Sequence, residues 1–546
     1  MSEQPGSSDS CDFLVIGSGS AALSAALRAA KGGLAVIVLE KSERLGGTSA
    51  MSGAGIWIPA NHVARAAGVQ DSPEEALAYL RATAPEGWAA TEDGLWQAFA
   101  RNAPRALEFI DANTPLEFVV TKEPDPFSEY PGGKLYGRQL TVEPISKWTI
   151  GALGLRVRAS TLPHLFSYQE TVDLDPYHHP VSAGLKLLPR LIWRLLANSR
   201  GQGNALITGL LRGCLDLGVS IRPATRALRL VQDSTGRVIG AEVESRGRRR
   251  TIEARRGVLL ATGGFDWDDA MRERHFPGGV KFLGAPSSNT GDGQRMAADA
   301  GARLDRLDQA NVYPCLPTTY EGRLAGMPMT FTAERHSILV NRHGNRFVSE
   351  NDFNIGERID QRDPRTGEPV NLPVWLIGDR RFLRQSPLFR WYARKLKGFL
   401  VQADSIEALA ARIGLPPAQL AETVSRFNWF CDQGSDQDFR RGQSAWDKYK
   451  THGEGVRLAK LEEGPFVAVE VSRSILGTKG GARTDDGARV LRADGSVIDG
   501  LFAAGLAMAN PFGTRAVGAG TTIGPNLTWG FICAETVLSQ PERTGE

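Results

Sequence analysis

The hydrophobic pattern of the first forty residues predicts a strand, a helix and a second strand in succession. An apolar run at residues 12–16 has the length of a buried strand, and small and apolar residues recur with helical spacing over 20–31. A second apolar run follows at 35–39. Because a helix between two strands is typical of a parallel crossover unit, this order predicts an α/β domain at the start of the chain.

Farther along, the pattern predicts a second unit of this kind and then a change of architecture. We expect a Rossmann-like nucleotide domain in two parts, 10–306 (with a helical and loop excursion at about 85–200) and 475–546. An inserted α+β catalytic or capping domain at 307–474 interrupts it. The predicted elements are a helix at 204–217, strands at 219–222, 228–231, 238–243, 257–261 and 337–341, and helices at 406–413 and 417–430.

The strongest local motif lies where the first strand meets the first helix. It is a GxGxxA fingerprint and reads Gly17-Ser18-Gly19-Ser20-Ala21-Ala22. Gly17 permits the tight turn, Gly19 lets the backbone approach a pyrophosphate, and Ala22 leaves room for helix–strand packing. Glu40, which ends the second strand beside Lys41, can accept hydrogen bonds from ribose hydroxyls. The motif therefore predicts a bound dinucleotide, with its phosphates at the helix N-terminus.

A second glycine-rich run at 46–55 alternates glycine with hydroxyl side chains. NAD would not need such a second cradle, whereas FAD, with its ribityl chain and tricyclic ring, would; a flexible loop is the alternative. Small-residue turns recur at 261–264, 289–293, 500–505 and 518–526, and the last opens a helix that can stabilise negative charge on a reduced flavin. The residues predicted to contact FAD in these segments, together with one on a nearby strand, are Gly46, Gly47, Thr48, Ser49, Ser52, Gly53, Gly55, Ala227, Ala261, Thr262, Gly263, Asn289, Asp292, Gly505, Thr521, Thr522 and Ile523.

Together these segments resemble the 3-ketosteroid dehydrogenases of the fumarate reductase/succinate dehydrogenase flavoprotein superfamily. The resembling segments are DFLVIGSGSAALSAALRA, LEKSERLGGTSAMSGAGIWIPAN, LLATGGF, SNTGDGQRMA, SILVNRHGNRFVSE, LGTKGGARTD and GLFAAG…GAGTTIGPNLTWGF. The resemblance implies FAD binding, hydride transfer between a substrate carbon and flavin N5, and a proton moved on the neighbouring carbon. Relatives with covalent flavin carry a histidine in the glycine–serine run. Residues 48–50 have none, so we expect non-covalent FAD.

The resemblance breaks at the catalytic tyrosines of those dehydrogenases. Matched residue by residue, the three tyrosines fall at Phe127, at or beside Asn354, and at Ala516, none of which has a phenol. The family's proton acceptor therefore cannot be carried over to this chain. Of its carbonyl-binding pair only Gly520 matches, and its backbone N–H can donate to a ketone oxygen.

Arg515, Arg335 and Tyr130 are the candidate catalytic replacements. Arg515 can hold a substrate carboxylate or stabilise an enolate, and its alternative is a surface or structural role. Arg335 precedes the 337–341 strand, near the place where fumarate-reducing relatives carry a catalytic arginine, so it is a candidate for proton transfer. Tyr130 and Tyr136 are alternative bases, although each fits better as a core or rim aromatic, and His178 fits a solvated loop better than a catalytic role.

Composition and net charge limit which partners, and which cellular compartment, the sequence predicts for the protein. A formal net charge of +3 on 546 residues does not predict a nucleic-acid surface. The five cysteines are scattered without metal-ligand spacing, which predicts no metal site and favours a reduced, cytoplasmic protein. No apolar stretch approaches the roughly 20 residues of a membrane-spanning helix. Residues 187–196 predict either a helix packed on the domain or an interfacial helix that helps an apolar substrate enter from a membrane.

The leading functional hypothesis is α,β-dehydrogenation of a cyclic ketone: a 3-oxosteroid, a terpenoid or an alicyclic oxo-acid. A base removes the α-proton, Gly520 stabilises enolate character, and the β-hydride passes to the flavin. The rivals are an enone or enoate reductase of the fumarate reductase type and a catalytically decayed flavin-binding protein. The motifs do not identify the electron acceptor. Arg346 and Glu350 are expected to order their strand and loop by ion pairing.

Overall fold

The computed structural model describes residues 9–329, 331–450 and 458–540. Its largest sheet confirms the predicted opening, because Asp9–Ile16 pairs in parallel with Val36–Leu39 on one side and with Arg248–Leu260 on the other. The mixture of helices and strands confirms the predicted α/β class. The sheet has eight strands. Six of them follow one another in the order Arg489–Leu491, Val497–Ala503, Arg248–Leu260, Asp9–Ile16, Val36–Leu39 and Ser220–Arg222. The other two form a branch, in which Val238–Ser245 pairs with Arg248–Leu260 and Thr225–Gln232 pairs with Val238–Ser245.

The first and last long helices, Ser20–Lys31 and Ile523–Ser539, pack against each other beside this sheet. They approach closely, since a Cβ placed on Gly530 would overlap the carbonyl oxygen of Ala21. The N-termini of both helices open onto the same cavity. Two helix N-termini that lie near opposite ends of the sequence therefore present their free N–H groups to one ligand site.

A second sheet lies in the segment predicted as the inserted domain. Its four strands are antiparallel and run in the order Ser337–Val340, Val374–Gly378, Phe466–Val471 and Leu400–Ala403. The helices predicted beside it are Ile406–Ile413 and Pro417–Gln433. The predicted ion pair is confirmed, with Arg346 Nη2 lying 2.9 Å from Glu350 Oε2. The division of the chain near residues 306 and 474 stays a prediction.

The excursion at about 85–200 contains more regular structure than its sequence predicts. Its longest element is a helix of 25 residues, Ala89–Asn113, that buries an apolar face including Trp96 and Phe99. A small antiparallel sheet lies beside it, with strand order Ile56–Trp57, Gln139–Val142, Phe118–Val120. The predicted 187–196 helix is the end of Pro180–Leu196.

The remaining elements are short or connect these units. In the part of the chain that the structure describes, no helix is long and apolar enough to cross a bilayer. The other helices, including the 3₁₀ segments Lys147–Arg156 and Gly505–Ala507, are Gly47–Met51, His62–Ala66, Pro73–Thr83, Tyr168–Leu174, Gln202–Asp216, Asp269–His275, Asp292–Asp299, Ile355–Ile359, Arg380–Gln385, Pro387–Lys395 and Ala445–Lys450. The other strands are Ile145–Ser146, Ser199–Arg200, Phe282–Leu283, Leu304–Asp305, Ala310–Val312, Cys315–Tyr320, Arg323–Pro328, Ser474–Thr478 and Gly481–Ala482.

Candidate active site

A cavity of about 570 Å³ lies where loops of the large sheet meet loops of the second sheet's segment. Nearly all the residues predicted to contact a cofactor line it, although the segments that supply them are far apart in sequence. Ala22 and Gly46 are the exceptions, since both lie behind the wall. The predicted residues on the wall are Gly17, Ser18, Gly19, Ala21, Glu40, Lys41, Gly47, Thr48, Ser49, Ser52, Gly53, Gly55, Ala227, Ala261, Thr262, Gly263, Asn289, Asp292, Gly505, Thr521, Thr522 and Ile523.

The first glycine turn has the geometry of a phosphate site. Gly17 has φ +117°, and a Cβ there would overlap the carbonyl oxygen of Ala261, so the turn requires glycine. Within the described residues, the N–H groups of Ser18 and Gly19 make no hydrogen bond, which leaves them as donors on the cavity wall. Bare N–H donors at the start of a helix suit an anionic ligand such as a pyrophosphate.

Two carboxylates lie on the wall at this end. Glu40 is buried and accepts hydrogen bonds from Ser18 Oγ at 2.6 Å and from the N–H of Ser42 at 2.9 Å. Burial raises the pKa of Glu40 above its usual value. Asp292 Oδ2 lies 3.0 Å from the ammonium of Lys41. Carboxylate oxygens so placed can accept hydrogen bonds from ribose hydroxyls.

At another part of the wall, two stretches of main chain lie close together. Gly520 has φ +98°, and a Cβ on it would overlap the carbonyl carbon of Gly55. Within the described chain the N–H of Gly520 makes no hydrogen bond, so it can donate to a ligand in the cavity. The buried hydroxyl of Thr262 also finds no partner among the described residues. A long ligand with phosphates, hydroxyls and a flat ring matches these unpartnered polar groups and bare main-chain surfaces, and FAD is such a ligand.

Of the four predicted catalytic residues, only Gly520 lies on the wall. Arg515 is held behind it, because its guanidinium forms two hydrogen bonds with Glu357, at 2.7 and 3.0 Å, and a third with the carbonyl oxygen of Thr83 at 3.1 Å. Arg335 is exposed, and the side chain of Tyr130 is 49% exposed, so neither is brought to the cavity.

The other candidates also lie off the wall. Tyr136 is exposed at the surface. His178 lies in a loop, as predicted, and 31% of its side chain is exposed, but its two ring nitrogens lie 2.6 Å from Asp175 Oδ2 and 3.1 Å from Glu334 Oε1. Burial alone would lower the pKa of His178, but hydrogen bonds to these two carboxylates raise it to about 10. It is therefore a charged residue that holds two segments together.

Two residues on the wall were not among the predicted candidates: Glu123, which is buried, and Tyr168, which is half-buried. The phenol of Tyr168 donates to Glu123 Oε2 at 2.9 Å. Tyr168 begins the helix Tyr168–Leu174, which is fixed by a capping box between Ser167 and Glu170. Its ring lies against Gly53, since a Cβ placed there would come 3.6 Å from a ring carbon. The pair therefore lies beside a segment predicted to hold FAD.

The pKa shifts of Tyr168 and Glu123 indicate which of the two residues can accept a proton. Burial raises the pKa of the Glu123 carboxyl, and the charge of Lys450 and the hydrogen bond from Tyr168 lower it by less. Burial, and then the neighbouring Glu123, raise the pKa of the Tyr168 phenol well above its usual range. Tyr168 therefore remains a protonated donor at neutral pH, and Glu123 is the group able to accept a proton.

Comparison with known proteins places the chain in a family. Residues 12–523 match the family model described as the FAD binding domain. A 4-oxocyclohexanecarboxylate 2-dehydrogenase of Sinomonas cyclohexanicum is 36% identical over 554 residues, covering 97% of this chain and 93% of that protein. A 3-oxosteroid 1-dehydrogenase of Mycobacterium tuberculosis is 36% identical over 568 residues, covering 97% and 98%. The crystal structure of 3-ketosteroid delta1-dehydrogenase from Sterolibacterium denitrificans, in complex with 1,4-androstadiene-3,17-dione, is 31% identical with a TM-score of 0.87, covering 97% of this chain and 100% of that one.

The fold, the cavity and these similarities define an FAD-dependent oxidoreductase. The chain belongs to the FAD-binding-domain family, and within it to the group of flavoprotein dehydrogenases that contains the 3-oxosteroid 1-dehydrogenases. Both the FAD cofactor and the predicted family are confirmed.

Proposed function

We propose that the protein catalyses α,β-dehydrogenation of a saturated cyclic ketone, of the 3-oxosteroid or alicyclic oxo-acid class. The observation that carries this proposal is the hydrogen-bonded pair Tyr168–Glu123 on the same cavity wall as the free N–H of Gly520. The names of the relatives support the substrate class, since they refer to 3-oxosteroids and to 4-oxocyclohexanecarboxylate. FAD, when bound without a covalent link, supplies the acceptor for the β-hydride.

In this proposal one group of the chain donates a hydrogen bond to the ketone oxygen, and another site accepts the α-proton. The N–H of Gly520 donates to the ketone oxygen, which makes the neighbouring C–H more acidic. The phenol oxygen of Tyr168 takes the α-proton while its own proton moves to Glu123 Oε2. The electrons of the broken C–H bond form the enolate and then the C=C bond as the β-hydride leaves. A carboxyl with a raised pKa is well suited to receive a proton near neutral pH.

Arg515 has a supporting role in this scheme. Its guanidinium fixes Glu357, a residue of the cavity wall, so we propose that it positions the wall and does not touch the substrate. Arg335 and Tyr130 receive no role, because both are exposed away from the cavity.

The phenol of Tyr168 provides the test. Tyr168→Phe removes the hydroxyl and keeps the ring against Gly53, so FAD binding and its visible spectrum should persist. Flavin bleaching by the saturated ketone should slow by about 10²-fold or more. Tyr392→Phe is the matched control, since it removes a phenol whose one hydrogen bond within the described residues is to the carbonyl oxygen of Pro317. Wild-type bleaching in Tyr168→Phe would remove Tyr168 from the reaction.

We propose further that the protein is cytoplasmic and contacts a membrane through one helix. All five cysteines are free thiols, in keeping with a reducing compartment. The helix Pro180–Leu196 exposes an apolar face whose side chains are between 49% and 76% accessible. This apolar face consists of Val181, Leu185, Leu188, Ile192, Trp193, Leu195 and Leu196.

The charges around the apolar face favour an anionic lipid surface as its partner. The helix contains no acidic residue, and Lys186 and Arg190 are exposed on it. Such a helix lies in the headgroup region with its basic residues at the phosphates. The helix is also connected to the segment that lines the cavity. Arg194 of the helix donates to the carbonyl oxygen of Leu165 at 2.8 Å, and Leu165 is close in sequence to the cavity residue Leu162. An apolar ketone could pass from the bilayer to the site by this route.

A further inference from the structure

A buried lysine on the cavity wall has no role in the proposed reaction. Lys479 follows the strand Ser474–Thr478, and only 1% of it is accessible. Its ammonium donates to the carbonyl oxygen of Gly513 at 2.6 Å. Among the residues that the structure describes, no carboxylate lies within 4 Å of this ammonium, so the protein provides one acceptor for a group with three N–H donors.

A positive charge on the buried side chain of Lys479 is energetically unfavourable unless it is compensated. Burial lowers the pKa of Lys479 to about 8, and no nearby carboxylate counteracts that effect. Lys41, a second lysine of the same wall, differs in this respect, because Asp292 pairs with it at 3.0 Å. A buried cation is retained when something neutralises it. Lys479 is a residue of the cavity wall, so we take the compensating negative charge to come from a ligand bound in the cavity.

The main-chain contacts of Lys479 connect it to the segment that carries Gly520. Its main chain joins the 505–520 segment, since the N–H of Asn510 donates to its carbonyl oxygen at 3.0 Å. Its own N–H donates to the carbonyl oxygen of Gln309 at 2.8 Å, and Gln309 Oε1 accepts from the N–H of Thr514 at 2.9 Å. This segment leads to Gly520, where the ketone is bound in our proposal. Because the ketone must lie against the flavin ring for hydride transfer, our proposal puts Lys479 toward the ring end of the cavity and not the ribose end at Glu40.

We propose that Lys479 is the counter-charge of the reduced flavin and raises the midpoint potential of the bound FAD. Two-electron reduction increases the electron density of the ring, and a cation in a poorly solvated site stabilises the reduced form more than the oxidised one. A higher potential makes removal of hydride from an unactivated β-carbon more favourable. The placement of Lys479 rests on the proposed ketone site at Gly520, but the test needs only bound FAD and no ketone, so its failure can be distinguished from a failure of the proposed substrate.

The direct test compares Lys479→Met with Lys479→Arg in the FAD-loaded protein. Each variant is equilibrated anaerobically with a redox dye, without substrate, and the ratio of reduced to oxidised flavin is read from the spectrum. Lys479→Met removes the charge at similar length, and the ratio should fall at least tenfold, which corresponds to about 30 mV for a two-electron couple. Lys479→Arg should retain most of the wild-type ratio. A wild-type ratio in a fully FAD-loaded Lys479→Met protein would show that the lysine serves only Gly513.

A second measurement needs no variant and remains available if Lys479→Met does not fold. Burial lowers the pKa of the ammonium to about 8, and negative charge on the reduced ring raises this pKa above the value that it has beside the oxidised ring. Above pH 8, reduction should therefore take up an additional proton, and the midpoint potential of the wild-type protein should fall more steeply with pH than it does below pH 8. An unchanged slope across this pH would overturn the proposal.

Discussion

Asn354 and Ala516 are joined by two hydrogen bonds across 162 residues of chain. Asn354 Nδ2 donates to the carbonyl oxygen of Ala516 at 2.9 Å, and the N–H of Ala516 donates to Asn354 Oδ1 at 2.7 Å. Both residues line the cavity. In the residue-by-residue match with the similar dehydrogenases, tyrosines are expected at Ala516 and at or beside Asn354. The two hydrogen bonds form an amide clamp at a place where phenols are expected. The clamp fixes the main chain shortly before Gly520, so it supports the carbonyl donor without supplying a proton acceptor.

The clamp gives a prediction for ketone binding. Asn354→Ala removes both hydrogen bonds, each with a net contribution of about 1 kcal/mol, so kcat/KM for the ketone should fall on the order of tenfold. FAD content should not change. Asn354→Asp is the matched comparison, because it keeps an acceptor for the N–H of Ala516 and loses only the donor. It should lie between the wild type and Asn354→Ala, and an unchanged kcat/KM in the alanine variant would rule out the support.

Glu123 gives a prediction for pH dependence. The proposed reaction needs its carboxylate form, and burial raises its pKa above the usual value of 4.5. The rate should therefore fall as the pH decreases through this raised pKa, at a higher pH than an exposed glutamate would require. Glu123→Gln cannot accept a proton, so kcat should fall by about 10²- to 10⁴-fold and this acid limb should disappear.

The control for this variant is Glu117→Gln, which makes the same change at an exposed position six residues earlier. It should retain the wild-type profile of kcat against pH. If the acid limb persists in Glu123→Gln, another group controls the titration and the assigned proton acceptor is wrong.

The apolar face gives a prediction for membrane binding. Ile192→Glu with Trp193→Glu places two charges on the face, and binding to vesicles containing phosphatidylglycerol should weaken by about tenfold or more in a sedimentation assay. Flavin bleaching by a water-soluble ketone should stay at the wild-type rate. Leu324→Glu is a matched control on a leucine that is 63% exposed on another surface. Equal binding of the double variant and the control would contradict the proposed contact.

Local chemistry explains why much of the cofactor site could be predicted from sequence. The turn at Gly17 needs a positive φ, and glycine is the residue that supplies it without strain. The turn at Gly520 follows the same rule. Such turns leave bare main-chain N–H groups, so each glycine run indicates a ligand contact from its own residues alone.

The rest of the site depends on contacts that no local pattern contains. Tyr168 and Glu123 are 45 residues apart, and neither belongs to a motif that points to the other. The capping-box sequence before Tyr168 indicates a helix start and nothing about its partner. Arg515 was a candidate because of its neighbours in sequence, but its actual partner, Glu357, is 158 residues away.

The bounds of the helix Ala89–Asn113 were not predicted, since the sequence indicated only a helical and loop excursion at about 85–200. Pro104 lies inside it, and proline inside a helical pattern normally indicates a boundary. Burial of Trp96, Phe99 and Leu107 against the rest of the core stabilises the helix despite the lost hydrogen bond. Tertiary packing overrides a local signal here, which sequence periodicity cannot anticipate.

Anaerobic mixing of the FAD-loaded protein with saturated cyclic ketones tests the central claim most directly. Stopped-flow absorbance would follow the flavin with a 3-oxosteroid and with 4-oxocyclohexanecarboxylate in separate runs. We predict that at least one saturated ketone bleaches the flavin and that Tyr168→Phe slows this bleaching strongly. The account would be contradicted if no saturated ketone bleached the flavin while an unsaturated acid or enone reoxidised the pre-reduced protein, which would indicate a reductase. No response to either kind of compound would indicate a flavin-binding protein without this activity.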